Sequence, residues 1–135
     1  MYKWITWIFC LLNARIDLGQ ESFATLYILR STGTKAVEYS FSTFVNDSLF
    51  CKLNNKKFSA HHLRPGLKAI HAQYAGSDPK VKFERISILM EPGQVYYVNL
   101  QIQQRFGGCN LFCTEITPSE ARMLFKELKA DTRCE

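Results

Sequence analysis

Gln94-Val95-Tyr96-Tyr97-Val98-Asn99-Leu100-Gln101-Ile102-Gln103 follows a Glu91-Pro92-Gly93 turn. In this stretch Tyr96, Val98, Leu100 and Ile102 alternate with Tyr97, Asn99, Gln101 and Gln103. A period of two means that successive side chains leave opposite faces of a strand, so one row is buried and the other is wet. Clean alternation after a turn argues for an antiparallel sheet, since parallel strands are covered on both faces and read as continuous apolar runs.

Working outward, turn signals separate further strands. Ala24 to Arg30 is apolar without strict alternation, which places it centrally in a sheet. Tyr39 to Val45 reaches Asn46-Asp47, and Leu49 to Leu53 reaches Asn54-Asn55. Lys57 to Leu63 closes at Arg64-Pro65-Gly66, after which Lys68 to Tyr74 sets Ile70, Ala72 and Tyr74 inward and Ala69, His71 and Gln73 outward. After a loop at Ala75 to Pro79, Val81 to Met90 reads as one strand, Gln94 to Arg105 follows, and Cys109 to Ile116 is last. This rhythm predicts an antiparallel β-sandwich of about seven or eight strands. Pro65 and Pro92 fix φ ahead of Gly66 and Gly93, which supply the turn dihedrals.

The C-terminus departs from the strand pattern. Thr117-Pro118-Ser119-Glu120 reads as an N-cap, a proline at N1 and a glutamate at N3, and predicts one helix over about 118–130. Ala121, Leu124, Phe125 and Leu128 form its apolar stripe, which is expected to dock on the sheet or close one end of the sandwich. Lys126 and Lys129 are expected near its C-terminal end, where the macrodipole favours cations.

A length of 135 residues with 47% hydrophobic and 21% charged residues is ordinary for one globular domain and excludes disordered and fibrous classes. Residues 20–135 are therefore expected to form a single sandwich ending in the helix. Seventeen lysines and arginines against twelve acids give a net charge of +5. The basic residues Lys52, Lys56, Lys57, Arg64, Lys68, Lys80, Lys82 and Arg85 are scattered, the pattern of a solvated face and not of a specific nucleic-acid footprint.

Residues 1–19 differ from the rest. Lys3 precedes the apolar run Trp4 to Leu12, and polarity returns at Asn13, Arg15 and Asp17, the form of a secretory signal peptide or an N-terminal anchor. The run is too short to cross a bilayer as a helix. Ile8-Phe9 ahead of Cys10 lacks the small residues that lipoprotein processing needs. The expected address is exported: periplasmic, cell-envelope or extracellular, with membrane association open.

Removal of the leader leaves Cys51, Cys109, Cys113 and Cys134, whose pairing has three solutions. Cys109 and Cys113 share one face of a strand about 13 Å apart, too far to bond each other, so each needs a partner such as Cys51 or Cys134. The alternative is that Cys51, Cys109 and Cys113 are buried reduced thiols.

Several of these pieces together resemble a bacterial family known as domain of unknown function 2846: Ala24-Thr25-Leu26-Tyr27-Ile28-Leu29-Arg30, Leu63-Arg64-Pro65-Gly66-Leu67-Lys68, Glu91-Pro92-Gly93 with Tyr96-Tyr97-Val98, and the Glu115 to Leu128 helix entry. The Pro-Gly turn also resembles the surface-associated PEGA modules. The resemblance implies a small exported β-sandwich, often tethered as a lipoprotein, with no catalytic residue or cofactor to carry over. The missing lipobox is a departure from that pattern.

Chemistry-bearing residues are sparse. His61 and His62 are adjacent and point to opposite faces of a strand, so they cannot share a metal, and with His71, Cys109 or Cys113 the spacing matches no metal signature. A thiol enzyme would need Cys113, His71 and Asn110 to converge, and no catalytic motif or phosphate-cradling loop is present. Tyr97, Asn99, Gln101 and Gln103, on the polar row of the opening strand, are the expected interaction face. The expected role is a noncatalytic envelope-associated binding or structural module, without cofactor, whose partners are other envelope proteins or the membrane surface. The competing readings are a small thiol- or metal-dependent enzyme with Cys109, Cys113 and one histidine in an open pocket, and a binder of acidic lipid or nucleic acid with Lys52, Lys56, Lys57 and Lys68 on one face.

Overall fold

A computed structural model describes residues 22–33, 40–74, 81–106 and 108–134. The proposed leader and the loop at Ala75 to Pro79 lie outside the described residues. The strands are β1 (Ala24–Arg30), β2 (Phe41–Val45), β3 (Ser48–Leu53), β4 (Lys57–Leu63), β5 (Gly66–Tyr74), β6 (Val81–Phe83), β7 (Ile86–Met90), β8 (Val95–Arg105) and β9 (Gly108–Ile116). Helix α1 (Pro118–Phe125), the two-residue strand β10 (Lys129–Ala130) and a 3-10 turn (Thr132–Cys134) follow among the described residues. The sheets are ordered β10-β4-β1-β8-β9-β6 and β3-β2-β5-β7.

The fold is a mostly β sandwich, as the alternation predicts, with one C-terminal helix, as the capping box predicts. Most pairs are antiparallel, yet β1 and β8, at the centre of the larger sheet, are parallel, with Tyr27 opposite Tyr97 and Leu29 opposite Asn99. Alternation on β8 therefore accompanies one parallel and one antiparallel neighbour, because β9 pairs antiparallel on its other side. Covering differs along the outer face, and that decides the alternation more than strand direction does.

The turns follow their residues. Asn46 and Asp47 both adopt positive φ, 48° and 64°, between β2 and β3, as a two-residue hairpin of twisted strands requires. Gln94 N–H donates to the Glu91 carbonyl at 3.3 Å, closing a turn with Pro92 second and Gly93 third at φ 74°.

Two sequence expectations are corrected. Val81 to Met90 is not one strand: β6 joins β9 in the larger sheet, and β7 joins β5 in the smaller one. Glu84 N–H still donates to the Leu111 carbonyl at 3.1 Å before the chain crosses. The helix stops at Phe125 instead of about residue 130, with Lys126 as its C-cap. Leu128 is buried beyond the helix, and Lys129 belongs to β10, hydrogen-bonded through its N–H to the Lys56 carbonyl at 3.0 Å.

Between the sheets, Leu26, Ile28, Val98, Leu100 and Leu111 meet Phe41, Leu53, Ile70 and Met90. Arg30 is fully buried at one end of this core, its guanidinium 3.6 Å from the Phe41 ring centre and its Nη1 donating to the Leu53 carbonyl at 2.7 Å. That bond ties β1 of one sheet to β3 of the other. A second apolar cluster lies on the outer side of the larger sheet, where Leu29, Ala121 and Leu128 are buried among Tyr27, Phe58, Tyr97, Ile116, Leu124 and Phe125. Thr117 and Glu120 form the reciprocal capping box that starts α1 over this cluster, at 3.2 and 3.0 Å.

Candidate functional site

The C-terminal segment builds the site at the free side of β4. β10 runs parallel to β4 but pairs only Lys129 with Lys57 and Ala130 with Phe58. At Asp131 the chain leaves the sheet. Asp131 N–H makes the last bond, to the Phe58 carbonyl at 2.8 Å, and the 3-10 turn then carries Cys134 to a disulfide with Cys51 on β3, with Cα atoms 5.1 Å apart. The diversion leaves the rest of β4, Ser59 to Leu63, alongside a groove of about 480 Å³.

A β-bulge shapes the groove wall. The β2–β3 register shifts between Thr43 and Phe44, so Phe50 is the extra residue, and its ring meets His61 edge-on at 5.2 Å. His61 lies 2.8 Å from the Ser59 hydroxyl, and burial, with His62 next to it, lowers its pKa. His62 points to the other face, 3.3 Å from the Thr25 hydroxyl. Asp131 is buried and held by Arg133 through bonds of 3.1 and 3.0 Å; that pairing depresses its carboxyl pKa, aided by the field of Lys57. Its contribution to stability is therefore present above the ordinary aspartate range and lost as pH falls through the depressed value.

The remaining histidine is elsewhere. His71 sits on β5 in the smaller sheet, 2% exposed, its ring stacked on Phe44 at 4.7 Å. Burial and the Arg85 charge lower its pKa, against a smaller opposing pull from Asp47. It is buried, in contrast to the outward, wet position the alternation suggests, because Phe44 covers it. Among the described residues no three metal-ligating side chains cluster.

The cysteines divide. Cys51 and Cys134 bond each other, so neither is the partner of Cys109 or Cys113. Cys113 is a free buried thiol whose pKa burial pushes up to about 12, which leaves it neutral and weakly nucleophilic. It points into the inter-sheet core, whereas His71 leaves β5 on the side opposite the core residues Ile70 and Ala72. The smaller sheet thus separates the two. The side chain of Cys109 lies outside the described residues.

The polar row of β8 is split by the helix. Tyr97 lies beneath Phe125 at 6.1 Å and stacks on Tyr27 at 5.4 Å, so the aromatic expected to meet a partner belongs to the packing. Asn99 is 7% exposed, and its Oδ1 makes no hydrogen bond among the described residues. Gln101 accepts from the Thr114 hydroxyl at 3.3 Å, and Gln103 is exposed. Gln101 and Gln103 line an open cavity of about 600 Å³ with Ser31, Thr32, Gly33 and Phe112.

Lysines dispersed in the sequence converge at β4. Lys57 begins the strand, Lys56 stands in the turn just ahead of it, and Lys129 lies opposite Lys57 in register. Lys52 does not join them: it is on β3 in the smaller sheet, exposed between buried Cys51 and Leu53, and only its backbone carbonyl comes within 3.9 Å of the Cys134 sulfur. Lys68 is on β5, in that same smaller sheet. The described ion pairs are Arg85 with Asp47 and Arg133 with Asp131, so none of these lysines has a carboxylate within 4.0 Å among the described residues. Sequence reasoning missed this convergence because Lys129 was assigned to a helix. The apolar stripe runs on to Leu128, so no break in it marked the helix end at Phe125.

No family model matches the chain, and no curated protein matches it.

Proposed function

We propose that this chain is a noncatalytic, exported β-sandwich module of the cell envelope, with a binding or bracing role toward other envelope proteins or the membrane surface. The observation that carries this reading is the Cys51–Cys134 disulfide, which joins β3 to the C-terminal 3-10 turn across 83 residues. Structural disulfides persist in oxidising compartments and are rare in reducing ones. The leader headed by Lys3 and Trp4 to Leu12 supports the same address. The binding role draws on the exposed β4 edge and its cations. The noncatalytic part draws on Cys113, held as a neutral thiol, and on histidines distributed over two sheets.

Intact mass spectrometry of the protein recovered from its native host, with and without reductant, tests the reading. The expected result is a chain shortened at its N-terminus that gains two hydrogens on reduction. Retention of Met1 to Gly19 with all five thiols free would overturn it.

A further inference from the structure

We propose that the free edge of β4 takes an extended acidic peptide segment of another protein as an added strand, its backbone on Ala60 and His62 and its carboxylates among Lys56, Lys57, Lys129 and Arg64. This deepens, and rests on, the reading of the chain as a binding module.

The backbone comes first. The Lys56 and Phe58 carbonyls face away from β1, since they accept from Lys129 and Asp131 at 3.0 and 2.8 Å. Peptide groups alternate along a strand, so the N–H and C=O groups of Ala60 and His62 face the same way. β10 ends before reaching them, both residues are exposed, and no described backbone group bonds to theirs on that side. An edge of this kind is a ready template for strand addition.

The groove gives the second argument. Phe50 and Leu63 make an apolar wall on the inner side of the edge, in a volume of about 480 Å³ that suits side chains at alternate positions of an extended peptide. Charge selects the occupant. Lys56, Lys57 and Lys129 stand at one end of β4 and Arg64 at the other, and the groove's one described carboxylate, Asp131, is already held by Arg133. Beyond the end of β10, the free stretch from Ser59 to Arg64 spans about 17 Å, so about five peptide residues reach from the lysines flanking β10 to Arg64. Side-by-side Lys57 and Lys129 repel each other in the free protein, and an acidic ligand relieves that repulsion.

The test is an NMR titration of the isotopically labelled full chain with a synthetic octapeptide of alternating glutamate and valine, against a lysine-valine control. The glutamate peptide is expected to shift the Ala60 and His62 amides and protect them from exchange, with affinity that falls as salt rises. Ala60→Pro removes an N–H outside the β1–β4 ladder, so it is expected to fold and to bind about tenfold more weakly. The Lys57→Gln/Lys129→Gln pair leaves the backbone intact and is expected to weaken binding and flatten its salt dependence. The proposal is overturned by absence of saturable binding, by equal binding of the lysine peptide, by shifts confined to the β7 edge, or by a lysine pair that binds as the wild type does. Binding to acidic lipid vesicles with no peptide binding would also overturn it. A chain that keeps its leader and free thiols yet binds the peptide would refute export and leave the edge site standing.

Discussion

The two faces of the six-stranded sheet are closed by different means. The inner face meets a second sheet across aliphatic side chains, and the Cys51–Cys134 bond ties the sheets together near the β4 edge. The outer face meets an eight-residue helix over an aromatic cluster in which Phe125 packs edge-on against Tyr27 and Phe58, at 5.6 and 4.8 Å. Such a helix is about 12 Å long, whereas the eleven residues of β8 extend about 36 Å. It covers only part of the strand. Tyr97 lies under it, Asn99 is still buried, and Gln101 and Gln103 lie where the cover runs out. The change from aromatic to amide along one row therefore follows the helix's footprint.

Breaking the covalent closure is expected to have the largest effect. In the chain-entropy account, a Cys51→Ala/Cys134→Ala pair loses about 4.5 kcal/mol for a loop of this length, read as a lower urea midpoint. A loss no larger than that of a surface change would mean that the two sheets hold each other without the bond. Phe125→Ala, on the other face, is expected to cost about 2 to 3 kcal/mol, below the range for a fully buried ring because Phe125 is half-buried. Near-ultraviolet circular dichroism should then report altered packing of Tyr27 and Tyr97. Gln103→Ala, beyond the helix, is expected to stay within about 0.5 kcal/mol of wild type by the same denaturation measurement. A larger effect would show that the uncovered half of the face is part of the fold's stability.

Much of the sandwich is legible residue by residue. Lys57–Leu63 has the bounds its flanking turns imply, and β8 and β9 begin within one residue of their expected starts. The division of Val81 to Met90 was readable too: apolar residues occupy odd positions at Val81 and Phe83 and even positions at Ile86, Ile88 and Met90, and that change of parity marks the crossing. The candidate site was less legible. His61 and His62 were placed on opposite faces correctly, but the edge they occupy depends on where β10 stops, and a two-residue strand carries no periodicity to detect.

The sequence by itself determined which residues alternate, where the chain turns, and where a helix begins, because those follow from dihedral preferences and capping within a few neighbours. Tertiary structure alone decided that β1 and β8 run parallel, that Cys51 bonds Cys134, that Phe125 roofs Tyr97, and that Lys56, Lys57 and Lys129 share one edge. These are contacts between distant segments, chosen by the packing of whole sheets, and no local pattern records which segments will meet.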